Sequence, residues 1–507
     1  MGLPHLDLEH ARQIAAVDYD THMVLAAERG GRLCGLAGYY RDPANLSRAE
    51  VAFAVTDAMQ GRGLGTRLLE RLAEIAREHG VRAFDAYVLG DNLPMMDLFL
   101  QSGFALTQGL DHGVFHVTLA LEATAAFETA AGKRAQLAAA ASVRPFFAPR
   151  AIAVIGANRA RGRIGSEVLR NLRDSGFTGT IAPVHPEADV VCGLRAYRTV
   201  ASIPYEIDLA IIVVAAKRVT AVVDECIAKG VKALVVISAG FGEAGESGAA
   251  LQAGIVNKIR AAGVRLIGPN CMGVINTDPA VRVNATFSPV CPPEGRIAFS
   301  TQSGALGLAI LEYVKRLNIG ISSFASIGNK ADVSGNDLLQ YWAEDPRTDV
   351  ILLYLESFGN PRKFAEIARR VARVKPIVAV KAGRSSAGAR AASSHTGARA
   401  SSEALVEMML RESGVIRTRT LEELFDVATV LAHQPVPGGR RVAIVTNAGG
   451  PAILAADACE ANGLTVPVLD ATTEAQLRSF LPATASVGNP VDMIASATPE
   501  QYRRALE

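Results

Sequence analysis

The chain has 507 residues, 49% hydrophobic and 20% charged, with 46 Gly and 23 Pro, which excludes a disordered or fibrous polypeptide and predicts roughly three to four α/β domains. Its formal charge is +2, with one Trp and no long Lys/Arg run, so nucleic acid is not an expected partner. The six Cys lack paired spacing, no apolar run reaches about 18 residues and the N-terminus lacks a signal-peptide pattern, so a cytoplasmic protein with reduced thiols and no membrane contact is expected.

In chain order, residues 22 to 56 read as three short strands, HMVLAAER, RLCGLAGYY and RAEVAFAV, split by GG and by the turn-rich RDPANLS. GRGLGTRLLERLAEIAREHG then places Leu64, Leu68, Leu69, Leu72 and Ile75 on one face before a terminal Gly80, the pattern of an amphipathic helix with a C-cap. A strand VRAFDAYVL, a short helix from Asn92 to Ser102 and a last hairpin follow. Residues 121 to 142 are Ala-rich and poor in large apolar groups, so they read as an inter-domain linker with helical tendency.

From Ala151 the pattern becomes apolar runs alternating with helices: AIAVIGA, GTIAPV, LAIIVVA, ALVVISA and RLIGP. Unbroken β-branched runs suit parallel strands covered on both faces. A second round begins at RIAFSTQSGALG and continues through ISSFASIGN, VILLYLES and PIVAVKAG; a third begins at RVAIVTNAGG after the punctuation HQPVPGGR. That third unit holds only about 70 residues, fewer than a usual domain, so a truncated chain is expected.

Two Gly-rich turns and one histidine carry the chemistry. QGRGLG, residues 60 to 65, stands between a strand and a helix, where backbone amides can approach a pyrophosphate; a plain tight turn is the competing reading. IAVIGANRARGRIG has glycines at 156, 162 and 165 that do not fit the dinucleotide fingerprint, and no ribose-binding acid ends the second strand, so NAD is not expected. His395 lies in RAASSHTGARASS with no Cys, Asp or Glu at metal-ligand spacing, so no metal site is expected. A lone imidazole among small residues suits either a surface loop or a loop carrying a nucleophile.

The order of strands, QGRGLG loop, long helix, strand, helix from Asn92, SGF and hairpin resembles the GNAT acetyltransferases, and Gln60, Gly63 and Gly65 match their signature. The resemblance implies acetyl-CoA contacts at Gln60, Arg62, Gly63, Gly65 and Asn92, and a general base at Glu50 that draws a proton from a lysine ammonium through water. Only about 20 residues precede the first matching segment, so the first GNAT strand is expected to be missing. The segments IAVIGANRARGRIGSEVLRNL, ISAGFGE, GPNCMGVIN and STQSGALG, then SIGNKADVSGNDLL, ILLYLES, KPIVAVKAGRS and SHTGA, resemble the NDP-forming acyl-CoA synthetases, relatives of succinyl-CoA synthetase. This second resemblance implies CoA contacts at Gly156, Ala157, Gly165, Ser238, Gly240, Asn270, Ser303 and Gly304. It also implies a phosphohistidine at His395 that Glu356 orients, and ATP, ADP and Mg²⁺ used only through an ATP-grasp domain that is absent or supplied by a partner.

The expected fold class is α/β: a GNAT domain over 1–121, an Ala-rich linker over 122–142, a CoA-binding Rossmann-like domain over 143–285, a flavodoxin-like ligase domain of succinyl-CoA-synthetase type over 286–434, and the start of a third ligase-like α/β domain over 435–507. GNAT fused to such a module resembles the bacterial Pat-type protein lysine acetyltransferases. The leading expectation is an acetyl-CoA-dependent protein lysine N-acetyltransferase whose ligase-like part senses CoA. The alternative is an ADP-forming acetate–CoA ligase, alpha-like, working with an ATP-grasp partner on a small carboxylic acid; a regulator that only binds CoA is a third reading. An oligomer is expected.

Overall fold

The computed structural model describes residues 16–29, 31–122, 124–385, 387–388, 402–435 and 437–507. The chain divides into two compact units, residues 1–432 and 433–507. The first unit opens with β1 (His22–Arg29), β2 (Arg32–Asp42), β3 (Asn45–Val55), α1 (Leu64–Glu78), β4 (Ala83–Leu89), α2 (Leu93–Leu100), β5 (Ala105–Asp111) and β6 (Val114–Ala120). They form one sheet in the order β1-β2-β3-β4-β6-β5. Strict alternation puts Ala37, Tyr39, Ala49, Val51, Phe84, Ala86, Val117 and Leu119 on the face covered by Leu69, Leu72 and Phe99 of the two helices. The opposite face carries Glu50, Asp85, Tyr87, His116 and Thr118. The expectation of a missing first strand concerns residues 1–15, which lie outside the described residues.

The helical tendency expected of the Ala-rich stretch is realised from residue 125, in α3 (Ala125–Phe147), a 23-residue helix whose Thr124 N-cap hydroxyl accepts from the Phe127 amide at 3.1 Å. The large apolar groups sit at its two ends, with Phe127 stacked on Phe104 and Val143, Phe146 and Phe147 fully buried. The small residues between them allow close packing: a Cβ on Gly132 would lie 2.9 Å from Arg370 Nη1.

The CoA-binding part comprises β7 (Ala151–Ile155), α4 (Ile164–Asp174), β8 (Thr180–Val184), the ribbon β9 (Val190–Val191) and β10 (Leu194–Arg195), β11 (Leu209–Ile212), α5 (Ala216–Lys229), β12 (Ala233–Val236), α6 (Glu246–Ala262) and β13 (Arg265–Ile267). Its parallel sheet runs β13-β12-β11-β7-β8, and every residue of β7, β11 and β12 is buried, as a sheet covered on both faces requires.

The next strands, β14 (Gly273–Asn276) before the expected boundary at 285 and β15 (Val283–Thr286) across it, hydrogen-bond into the following sheet. The chain leaves β13 through Gly268 (φ +101°) and Asn270 (φ +56°), where a Cβ on Gly268 would lie 2.5 Å from Val236 O, and crosses to pair β14 antiparallel with β17. That sheet has the order β15-β14-β17-β16-β18-β19-β20, from β16 (Glu294–Thr301), β17 (Ile321–Ser326), β18 (Val350–Leu355), β19 (Ile377–Lys381) and β20 (Ile416–Thr418). Around it pack α7 (Gly304–Arg316), α8 (Gly335–Glu344), α9 (Pro361–Val371), α10 (Glu403–Glu412) and α11 (Leu421–His433). The second unit holds the parallel pair β21 (Val445–Thr446) and β22 (Val491–Asp492), with α12 (Gly449–Ala461) against the pair and α13 (Ala471–Arg478) and α14 (Pro499–Leu506) around Leu477, Leu481 and Met493. Among the described residues no helix is long and apolar enough to cross a membrane.

Candidate functional site

A cleft of about 1020 Å³ opens where the carboxyl ends of β11 and β12 face the N-terminus of α7. Two glycines bring together the elements beside it. Gly156 has φ +91°, and a Cβ there would lie 2.2 Å from Val213 O; one on Gly165 would lie 2.2 Å from Gly156 O. The end of β7, the end of β11 and the start of α4 therefore touch backbone to backbone, with Ala157 buried between them. Ser238 Oγ donates to Val214 O at 2.5 Å, and the Asn270 amide donates to Ser238 O at 2.9 Å. Ser303 caps α7, its hydroxyl accepting from the Leu306 amide at 3.3 Å. Ser238, Asn270, Ser303 and Gly304 line this single cleft. Gly156, Ala157, Gly165 and Gly240 (φ +103°) shape the strand ends around it.

Sequence reasoning missed several polar groups in the same cleft, although GFGE, STQSGALG and SIGNKAD contain them. Glu243 accepts from the Gly240 amide at 2.6 Å, the Phe241 amide at 3.2 Å and Asn329 Nδ2 at 2.5 Å. Burial pushes its carboxyl upward, but the donors, led by Asn329, outweigh burial and hold it below the usual range. Gln302, almost fully buried, ties two segments together: its Oε1 accepts from the amides of Glu356 and Ser357 at 3.1 and 3.0 Å, and its Nε2 donates to Ser357 O at 2.8 Å. Lys330, at φ +46°, donates to Ser357 O at 3.0 Å and to the Ser357 hydroxyl. Burial lowers its pKa to about 8 against the opposing pull of Glu356.

Glu356 is buried at the end of β18, in reach of this group. His395 lies outside the described residues. The positions flanking its segment close on one another: Arg384 Nε donates to Glu403 Oε1 at 3.1 Å, and Arg417 reaches the same oxygen at 2.6 Å.

The QGRGLG turn leads into α1 through Gly63 (φ +79°), with no side chain capping the helix, so its first amides are open to a ligand. Gly65 packs under α2, where a Cβ would meet Leu98 Cδ1 at 2.6 Å. Gln60 Nε2 donates to Val55 O at 3.2 Å, Arg62 is exposed, and Asn92 caps α2 by accepting from the Met95 amide at 3.2 Å. β3 and β4 pair only from Arg48–Ala83 to Glu50–Asp85 and then part. Glu50 therefore stands at the apex of a wedge in the sheet, exposed, with no hydrogen bond or ion pair to it among the described residues. No cluster of His, Cys, Asp or Glu among the described residues could hold a metal ion.

Comparison with known proteins follows this division. Residues 3–104 match the acetyltransferase (GNAT) family, 150–277 a CoA binding domain, 294–431 the succinyl-CoA ligase like flavodoxin domain and 442–507 a ligase-CoA domain. The alpha subunit of acetate–CoA ligase [ADP-forming] II of Pyrococcus furiosus is 46% identical over 362 residues, 71% of this chain and 78% of the relative. Acetate–CoA ligase [ADP-forming] I of Archaeoglobus fulgidus is 46% identical over 361 residues, but the chain spans only 52% of its length. The structure of a Ca. Korarchaeum cryptofilum dinucleotide-forming acetyl-coenzyme A synthetase with phosphate and ADP superposes with a TM-score of 0.68 at 40% identity, covering 72% of this chain and 78% of that one. Similarity to acetyltransferase Pat of Mycolicibacterium smegmatis, 39% identical over 89 residues, reaches only 17% of the chain. The expected order of readings is thereby reversed, with the ligase ahead of the lysine acetyltransferase. A 46% match across most of an alpha subunit, with a CoA-binding sheet joined to a flavodoxin-like one, means that the chain belongs to the ADP-forming acetate–CoA ligase family.

Proposed function

We propose that the chain is the alpha-type part of an ADP-forming acyl-CoA ligase acting on a small carboxylic acid such as acetate. The observation that carries this reading is the convergence of Ser303, Gly304, Gln302 and Lys330 at one wall of the CoA cleft, with Glu356 tied to that wall through Gln302. Phosphate oxygen attacks the thioester carbonyl of acyl-CoA, the C–S bond breaks and CoA leaves as the thiol. The acyl phosphate then gives its phosphoryl group to the imidazole of His395, with carboxylate as the leaving group. The amides of Gly304 and Ala305 at the α7 N-terminus and the Lys330 ammonium meet the phosphoryl charge, and Glu356 orients the ring. An ATP-grasp partner with Mg²⁺ exchanges the group with ADP. The chain, given acetyl-CoA and radiolabelled inorganic phosphate, should acquire an acid-labile, base-stable label that His395→Ala abolishes and that acetate plus CoA discharge. No label on the parent chain would refute the reading.

A second activity, acyl transfer to an amine by the GNAT domain, is favoured by the wedge between β3 and β4. From Val55 back to Glu50 is five residues, about 17 Å of extended strand, enough for an acyl-pantetheine arm to run from pyrophosphate at Gly63 to a thioester at the apex.

A further inference from the structure

On the open face of the GNAT sheet, beside the wedge apex, Asp85 accepts from two residues and lies near a third. Arg48 reaches it with Nε at 2.9 Å and with Nη2, Thr118 Oγ1 donates at 2.7 Å, and His116 Nε2 lies 3.6 Å away. Burial raises the Asp85 carboxyl, but Arg48, Thr118 and the His116 charge together hold it below the usual range, so it stays an anion and is a weaker base than an ordinary carboxylate. Tyr87 stacks on the His116 ring at 5.0 Å and 16°. The register makes this a row: Glu50 opposite Asp85, Asp85 opposite Thr118, Tyr87 opposite His116.

Two groups beside the apex can take a proton, Glu50 and His116, and they differ in how they are held. A base must be oriented as well as basic. Glu50 has no hydrogen-bond or ion-pair partner among the described residues, whereas His116 has a ring stacked against its face and a carboxylate 3.6 Å from Nε2, outside hydrogen-bond length but close enough to attract an N–H. In the tautomer that the nearby Asp85 charge favours, with hydrogen on Nε2, Nδ1 keeps the lone pair.

Building on the acyl-transfer reading, we propose that His116, oriented by Asp85 and Tyr87, is the proton acceptor for a primary aliphatic amine, and that Glu50 binds the incoming ammonium. His116 Nδ1 removes one proton from the ammonium, directly or through one water. The amine then forms the C–N bond at the thioester carbonyl, the C–S bond breaks, and the sulfur leaves with a proton from the nitrogen. His116 returns its proton to solvent. Asp85 and Tyr87 are positioning residues, because neither touches the reacting atoms.

The test uses the full chain with acetyl-CoA and N-α-acetyl-lysine amide as acceptor. His116→Gln should lower kcat by about 10² to 10⁴ with little change in acceptor KM, and Glu50→Gln should act mainly on KM. Asp85→Asn should lower kcat and change the pH profile of kcat, which loss of a purely structural contact would not do. In ring-proton NMR, acetyl-CoA should shift the His116 signals, identified by their absence from His116→Gln, and a Gly63→Trp chain should show no such shift. Loss of kcat on Glu50→Gln with none on His116→Gln overturns the proposal while leaving acyl transfer standing. A parent chain that acetylates no amine removes the acyl-transfer reading itself and the proposal with it.

Discussion

Replacing Gly165 by Ala adds one methyl group where none fits. The new Cβ would stand 2.2 Å from Gly156 O and 3.0 Å from the carbon bearing it, against an ordinary contact of about 3.5 Å. Both partners are backbone, so the first turn of α4 must retreat by about 1 Å from the end of β7. Overpacking of this kind costs about 1 to 3 kcal/mol, and the better helix propensity of Ala returns less than about 1 kcal/mol of it. A net loss near 1 to 2 kcal/mol lowers the melting temperature by about 2 to 8 °C. Because Ile164 lines the cleft at that turn, CoA affinity should also fall, by about tenfold for each 1.4 kcal/mol of misfit. Differential scanning calorimetry and titration with CoA measure both effects. Gly254→Ala is the control: Gly254 is exposed in mid-α6 with nothing within 4 Å of a Cβ, so it should gain about 0.5 to 1 kcal/mol and leave CoA binding alone. Parental stability and CoA affinity in Gly165→Ala would refute the close-approach argument.

Other substitutions test the cleft and the helix beside it. Burial lowers Lys330 to about 8 from an ordinary value near 10.4, so across this window the unfolded chain binds a proton that the folded chain has released. The stability of the parent should therefore rise from pH 8 to about 10 relative to Lys330→Met, with no relative change below pH 8; parallel denaturation curves throughout would contradict this. Glu243, held below the usual carboxyl range, contributes stability that is present above its unfolded value and lost as pH falls through its folded one. Glu243→Gln should thus cost about 1 kcal/mol at pH 7 and little in acid, as read by urea titration. Arg134→Met should loosen α3 from α1 and α2 by about 1 to 3 kcal/mol, visible as faster amide exchange in residues 64–78, since buried Glu70 keeps only Arg67.

Local patterns were legible where one element decides them. The alternation in β1 to β4, the apolar stripe of α1, the Asn92 cap and the unbroken runs of β7, β11 and β12 all follow from side-chain period and burial. The cleft was partly legible because Gly156 and Gly165, Ser238, Asn270 and Ser303 lie in the turns that end strands or begin helices. Lys330 was not, since its weight comes from burial against Ser357 and Gln302, segments far away in sequence. β14 reads as the close of the CoA-binding part until its pairing with β17 is known, and short strands carry no address of the sheet they join. The pairing of Asp85 with His116 likewise depends on the register of β4 with β6, which no single strand encodes. The helical tendency of the Ala-rich stretch was legible, but its docking was not, because Lys133, Arg134 and Gln136 find their partners in segments far away in sequence.

That docked helix has neighbouring residues committed to different bodies. Lys133 and Gln136, three apart and so on one face, both reach Glu344 of α8, while Arg134, next in sequence, turns to Glu70 of α1 and to the carbonyls of Gln101 and Ser102. An α-helix advances about 1.5 Å and turns about 100° per residue. One residue inserted between Phe127 and Lys133 would therefore rotate the two ends of the helix by about 100° against each other, and Phe127 could no longer stack on Phe104 while Arg134 faces Glu70 and Lys133 faces Glu344. Insertions or deletions of about seven or eleven residues nearly restore the phase. The angle between the two ends is thus quantised by residue count, and length changes that would be harmless in a tether become discrete rearrangements here.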